Sequence, residues 1–321
     1  MRALIALGGN AMTGPGGSAT PEDQDRAVAE AMEHVADLVA SGVDVVLTHG
    51  NGPQVGNLLV KNELSAAVVP PVPLDWCGAQ TQGTLGFLIM DSLDCMLAKR
   101  GVDRKVATVV TRTRVDQDDP GFGKPTKPIG RYLPEAEARP LMEHGQTWED
   151  RGDKGWRRVV ASPEPIEILD AAAIGGLADA GYVVVGAGGG GIPVVRDPDG
   201  TLRGVEAVID KDLAAALLAR SVGAEVLVIA TDVPNAVLRY GTPDAEPIGN
   251  ICVTHLRALA AQGHFARGSM GPKVDAACRF VEAGGRYAVI TNLDHIVEAV
   301  AADAGTVVVP EPALNGGESD A

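Results

Sequence analysis

Arg2-Ala3-Leu4-Ile5-Ala6-Leu7-Gly8-Gly9-Asn10 opens the chain with an apolar run that passes straight into a glycine turn. Such a run, without polar alternation, reads as a strand covered on both faces. Thr20-Pro21-Glu22-Asp23 then starts a helix, with Thr20 as N-cap, proline in the first turn and acids at the positive end of the dipole. Val28, Met32, Val35 and Val39 recur at helical spacing, and Gly42 closes the segment. A second strand at 43–48 again ends in glycines, His49-Gly50-Asn51-Gly52. Strand, glycine turn and helix in this order imply an α/β fold with a mostly parallel sheet covered on both faces.

The alternation continues outward from these two units. A short helix follows Asn51-Gly52-Pro53, a long one spans about 75–100, and a strand occupies 105–111. After residue 165 come a helix near 166–180, a strand at 182–186, and a turn at Asp197-Pro198-Asp199-Gly200 between extended segments. Asp210 caps a helix through 219. Strands at 225–230 and 287–291 alternate with an extended 236–240 and helices at 254–261 and 271–283. A last helix (295–302) and strand (306–309) precede a polar tail at 311–321, expected to be disordered. Between about 115 and 165 prolines, glycines and charges crowd together, with a helix near 134–144 and a strand at 156–160. Fifty residues exceed a plain loop, so this stretch reads as an inserted lid subdomain within a domain of 1–310.

Composition narrows the function. The 321 residues include only 3% aromatics and carry a formal charge of −15, which argues against a base-stacking or phosphate-backbone binder of nucleic acid. Cys77, Cys95, Cys252 and Cys278 are scattered without metal or disulfide spacing and read as small buried hydrophobes. The histidines show no metal-ligand spacing, and only His49, inside a glycine turn, invites a positioning role. The apolar start at 3–7 is too short for a signal-peptide core, and no segment is long enough to span a bilayer. The expected compartment is the cytoplasm.

Two lysines beside helix starts carry the chemistry: Lys211 in Val208-Ile209-Asp210-Lys211-Asp212, and Lys273 after Gly268-Ser269-Met270-Gly271-Pro272. A cation in the first turn opposes the helix dipole, so a phosphate contact explains Lys211 better than helix stability does. Asp212 beside it can hold lysine side chains in place. The lead-in to Lys273 has the character of a nucleotide-hugging turn. Lys127, in the stiff Pro125-Thr126-Lys127-Pro128-Ile129-Gly130, can close over a γ-phosphate from the lid. The bland alternative for each is a solvated surface charge. The turns at Gly8-Gly9-Asn10 and Gly50-Asn51, and the run Gly188-Gly189-Gly190-Gly191, offer bare amides at strand ends, the usual ligand edge of an open α/β sheet. The alternative there is a tight crossing of main chains. The Gly186–Gly191 run has the letters of a dinucleotide fingerprint, but Ile192-Pro193-Val194-Val195 continues as extended chain, where that motif must open a helix. No P-loop motif occurs. Amides plus fixed ammonium groups suit phosphoryl transfer, so the leading reading is a small-molecule phosphotransferase.

The residues resemble the carbamate kinases of the amino acid kinase superfamily over essentially 1–310. The likeness rests on Ala6-Leu7-Gly8-Gly9-Asn10-Ala11, Thr48 to Leu58, Thr81-Gln82-Gly83, Pro125 to Gly130, Gly155 to Val160, Gly204 to Asp212 and His264 to Lys273. The resemblance implies an open αβα sandwich and reversible transfer between ATP and carbamate, giving ADP and carbamoyl phosphate, with Mg²⁺ on the nucleotide phosphates rather than on protein side chains. It also implies a homodimer. Lys211 then supplies the charge that related acetylglutamate kinases place before the first glycine pair. Lys273 bridges the β- and γ-phosphates, Lys127 reaches in from the lid, and Asp212 organises the lysines. Amides at Gly8, Gly9, Asn10, Gly50, Asn51, Gly188, Gly189 and Gly190 hold carbamate and the transferring group. Thr231, Asp232, Tyr240, Ser269, Met270 and Lys273 face the nucleotide. The chain departs from the family at Pro234, where an acid is usual and Asp232 is the candidate substitute, and at Gln80, where methionine is usual. A relative acting on another small carboxylate, carbamate or phosphonate, and a non-catalytic sensing module, are the rival readings.

Overall fold

Strand β1 (Arg2–Leu7) is fully enclosed from Ala3 onward. Successive side chains of a strand point to opposite faces. Leu4 and Ala6 join one apolar core, while Ala3, Ile5 and Leu7 join a second. Both faces are covered, which is why the sequence shows an unbroken apolar run. The computed structural model describes residues 1–14, 20–266 and 268–311, so the tail expected at 311–321 lies outside the described residues from 312 onward.

The remaining strands are β2 (Asp44–His49), β3 (Val106–Thr108), β4 (Arg112–Arg114), β5 (Lys127–Leu133), β6 (Thr147–Asp150), β7 (Trp156–Val160), β8 (Glu167–Ile168) and β9 (Val183–Val185). After them come β10 (Ile192–Arg196), β11 (Leu202–Gly204), β12 (Val226–Thr231), β13 (Val237–Leu238), β14 (Glu246–Pro247), β15 (Ile251–Cys252), β16 (Tyr287–Asn292) and β17 (Thr306–Val309). The helices are α1 (Pro21–Ala40), α2 (Gly52–Ser65), α3 (Leu74–Lys99), α4 (Pro120–Gly123), α5 (Glu135–Glu143), α6 (Ala171–Asp179), α7 (Lys211–Ser221), α8 (Val253–Ala261), α9 (Met270–Glu282) and α10 (Ile296–Val300).

Eight strands form the main sheet in the order β15-β17-β16-β12-β1-β2-β9-β3. From β16 to β3 every neighbouring pair is parallel, and only the β16–β17 pairing is antiparallel. Helices α1, α3 and α10 cover one face, and α6 to α9 cover the other. The architecture is therefore an α/β sandwich with a mostly parallel centre. Because β1, β2, β9, β12 and β16 run the same way, the loops after Leu7, His49, Val185, Thr231 and Asn292 all emerge at one edge.

Thr20 caps α1 by accepting from the Asp23 N–H at 3.2 Å, and Val28, Met32, Val35 and Val39 are buried. Two segments differ from the sequence reading. The strand expected at 105–111 stops at Thr108, and Arg112–Arg114 joins a second sheet, β11-β10-β4-β8. The helix expected from 166 begins at Ala171, because Glu167–Ile168 pairs antiparallel with β4 instead. In both cases the deciding partner is distant in the chain. The turn at Asp197–Gly200 connects the antiparallel pair β10 and β11, as expected.

Between β4 and β8 the chain builds a small antiparallel sheet in the order β5-β7-β6. It has its own buried group, Leu133, Ala138 and Trp148, with Leu141, Met142 and Trp156 packed against it. Its first strand starts at Lys127.

Candidate active site

The three glycine turns meet one another at the strand ends. A Cβ built on Gly50 would lie 2.8 Å from the Gly9 nitrogen; on Gly188, 2.4 Å from His49 Nε2; on Gly189, 2.1 Å from Asn51 Nδ2. One on Gly190 would lie 2.8 Å from the Ile209 carbonyl oxygen, just before Asp210. Side chains are excluded by contact: Gly50 and Gly190 meet main chain, the close crossing weighed from the sequence, while Gly188 and Gly189 meet the side chains of His49 and Asn51. This packing also brings three strand ends and the start of α7 to one place.

Three buried side chains aim the glycine run. Thr48 Oγ1 donates to the Ala187 carbonyl at 2.9 Å, Gln82 Nε2 to the Gly188 carbonyl at 3.0 Å, and Thr113 Oγ1 to the Gly190 carbonyl at 2.9 Å. In a trans peptide the N–H points opposite to the C=O. The amides of Gly188 and Gly189 are therefore turned away from Thr48 and Gln82, and they open the short 3-10 turn Gly188–Gly190, where amides lack a partner within the turn. The expectation for Gly50 and Gly190 needs correction. Gly50 N–H donates to the Leu7 carbonyl at 3.0 Å and Gly190 N–H to Ala187 at 2.9 Å, so both amides serve the fold. The Asn51 side chain is held in place separately, its Nδ2 donating to Thr81 Oγ1 at 2.9 Å. Gly8 accepts the Ala11 N–H through its carbonyl at 3.1 Å, and Gly9 and Asn10 begin the turn Gly9–Met12.

His49 is buried, with Nδ1 3.0 Å from the Gly50 carbonyl. A carbonyl only accepts, so Nδ1 carries the proton and Nε2 does not. Burial, helped by the charge on Lys211 and opposed by the Gly50 bond, lowers the imidazole from 6.5 to about 4. His49 is a neutral spacer between two loops, in keeping with a positioning role.

All three lysines converge on the first turn of α7. Asp210 caps that helix, its Oδ1 accepting from the Asp212 N–H at 2.9 Å. Its other oxygen takes Lys127 Nζ at 2.7 Å. Asp212 holds Lys211 on Oδ1 at 2.5 Å and Lys273 on Oδ2 at 3.0 Å. Burial on its own would raise the Asp212 carboxyl, but the two ammonium groups prevail and hold it at about 2. Lys211 is lowered, first by burial and then by Lys273, against the pull of Asp212. The carboxylates hold the three lysines close together, in reach of an incoming anion.

Next to these lysines lies a cavity of about 420 Å³. Gly8, Gly9, Lys211 and Lys273 form part of its wall, and Thr231, Asp232, Tyr240, Ser269 and Met270 line it too. Every residue expected on the nucleotide side is thus gathered in one space. The sequence reading omitted Asn235, Val237, His264 and Phe265 from the wall. It also missed Gln82 as an anchor and the second duty of Asp210. Gln82 sits within a helix whose neighbours at Leu85 and Ile89 are buried, which was the available signal.

Among the described residues, no helix is long and apolar enough to cross a membrane. The sequence pattern of the amino acid kinase family matches residues 1–292. A carbamate kinase of Thermococcus kodakarensis is 47% identical over 314 residues, covering 97% of this chain and 99% of the relative. A carbamate kinase-like protein of Escherichia coli is 42% identical over 311 residues, 95% of this chain and 98% of the relative. The solved structure of Giardia lamblia carbamate kinase bound to AMP-PNP superposes with a TM-score of 0.91 at 40% identity, covering 97% of this chain and 98% of that one.

Proposed function

The chain belongs to the amino acid kinase family, and we propose that within it this protein is a carbamate kinase, transferring a phosphoryl group reversibly between ATP and carbamate. The observation that carries the reading is the meeting of Lys127, Lys211 and Lys273 on Asp210 and Asp212, between the cavity and the glycine turns.

Carbamate is already an anion, so its oxygen attacks the γ-phosphorus without a general base. The bond from that phosphorus to the bridging oxygen breaks, and the electron pair leaves with ADP. Charge spreads over the equatorial oxygens, where positioned cations and amides lower the barrier. In this reading Lys211 and Lys273 lie against the transferring group and the bridging region, and Lys127 covers it from the small sheet. The amides of Gly188 and Gly189 hold the acceptor side with Gly8, Gly9 and Asn10. Thr231, Asp232, Tyr240, Ser269 and Met270 surround the nucleotide. The Asn51 amide joins the acceptor side, while Gly50 and Gly190 contribute by shaping the loops.

Asp210 and Asp212 are committed to lysines, and no group of three metal-ligating side chains is found among the described residues. Magnesium would enter with the nucleotide phosphates and would neutralise part of their charge. Kinship with carbamate kinases supports a homodimer and a cytoplasmic setting as further parts of the proposal, the first checked by light scattering.

The test is ATP formation from ADP and carbamoyl phosphate with magnesium. Inactivity there, with turnover of acetyl phosphate or another acyl phosphate, would move the protein to a related acceptor. The departures at Pro234, on the nucleotide side, and Gln80 bear first on nucleotide affinity and then on this second reading.

A further inference from the structure

The strand that carries Lys127 rests on α2 through two glycines. A Cβ built on Gly56 would lie 3.3 Å from the Gly130 Cα and 3.6 Å from its nitrogen. Gly130 has φ +68 and stands where the β5–β7 register shifts, between Ile129 and Tyr132. Either side of it the strand is fastened to the same helix. Ile129 shares a buried cluster with Val55 and Leu59, and Arg131 lies 3.4 Å from Glu63. Lys127 is three positions upstream on that strand and reaches Asp210 at 2.7 Å.

Glycine weakens a helix interior relative to alanine. Gly56 occupies the second turn of α2, where the helix comes close to the backbone of the lid strand at Gly130. A methyl group there forces the strand outward by a few tenths of an ångström, because its neighbour is main chain and cannot rotate aside. The shift is passed along a short, stiff segment to Lys127, which is flanked by Pro125 and Pro128.

We propose that Gly56 is a positioning residue for phosphoryl transfer, its missing side chain seating the lid strand so that Lys127 enters the site. This rests on the role given to Lys127 above. A cation acting on a transition state is sensitive to placement, since a displacement of about 1 Å can cost on the order of 10²-fold in rate.

The experiment measures kcat for ATP formation in Gly56→Ala and Gly56→Val, each in the native chain and in a Lys127→Ala background. In the native chain, Gly56→Ala should lower kcat about ten-fold, and Gly56→Val further. In the Lys127→Ala background the same changes should stay within about two-fold, because the residue they act through is gone. The melting temperature of Gly56→Ala should not fall. Equal factors in both backgrounds, or loss of folded protein with alanine, would overturn the proposal by making the contact a matter of stability. Normal turnover in Lys127→Ala alone would instead remove the role of the lysine, and the proposal with it.

Discussion

Asp210, the N-cap of α7, and Asp212, in its first turn, divide three lysines between them. Asp210 takes Lys127 and Asp212 takes Lys211 and Lys273. Three ammonium groups against two carboxylates leave one positive charge in excess, in a chain whose formal charge is −15. That local excess favours an anion at this site against the overall negative charge of the chain.

Replacing Lys211 or Lys273 by alanine should lower kcat by roughly 10²–10³, the loss expected for a donor aimed at the transition state. Lys273→Ala should also raise the KM for ADP, since Lys273 lines the cavity. Steady-state rates for both variants decide it. Near-normal turnover in both refutes the assigned roles.

Asp210 has two duties that substitution can separate. Asparagine caps a helix as well as aspartate does, so Asp210→Asn should keep the melting temperature while Lys127 loses its charged partner and kcat falls about ten-fold. Asp210→Ala should lose the cap as well, at about 1 kcal/mol of stability. Thermal melts beside kinetics distinguish the two. A wild-type rate in Asp210→Asn would show that the ion pair to Lys127 is dispensable.

Gln82 makes three buried hydrogen bonds, two to Thr111 and one to the Gly188 carbonyl. Gln82→Leu strands those groups, and each orphan costs about 1–3 kcal/mol. The amides of Gly188 and Gly189 should then drift, raising the KM for carbamoyl phosphate about ten-fold, while the KM for ADP changes less than about two-fold. An equal rise in both constants would mean that Gln82 supports the fold without orienting the acceptor loop.

His49 gives stability a dependence on acid. Its imidazole titrates near 4 in the folded chain and near 6.5 when unfolded. Above the higher value both states are neutral and the contribution is complete. As pH falls from 6.5 towards 4 the unfolded chain takes a proton that the folded one refuses, so stability declines, by about 3 kcal/mol in total. Asp212, held at about 2, begins to lose its contribution only below the ordinary carboxylate value of 3.8, under this window. Melting curves from pH 7.5 to 4.5 should flatten in His49→Asn, whose amide nitrogen can replace Nδ1. An unchanged slope would place the titration elsewhere.

Much of this arrangement is legible in the chain. The strand ends at Leu7 and His49, the caps at Thr20 and Asp210 and the three lysines all follow from local chemistry. What local chemistry misses is set by distant partners. Thr111 leaves the strand direction of β3 because Gln82 holds both its N–H and its carbonyl. Glu167 and Ile168 are extended because β4 offers them an open edge. The amides of Gly50 and Gly190 look free in a list of glycines, yet the carbonyls of Leu7 and Ala187 claim them. Asp210 reads as a cap alone until Lys127 arrives from 83 residues away.

The interlocked glycines bear on how the protein could be reshaped. Positions 50, 188 and 189 touch main chain, the ring of His49 and the amide of Asn51, so no side chain fits there without pushing the strand ends apart. A laboratory search for acceptance of bulkier acids would gain nothing by randomising those loops. Its productive diversity lies in the small sheet away from Lys127 and its seat on α2, since β5, β6 and β7 pair with none of the eight strands.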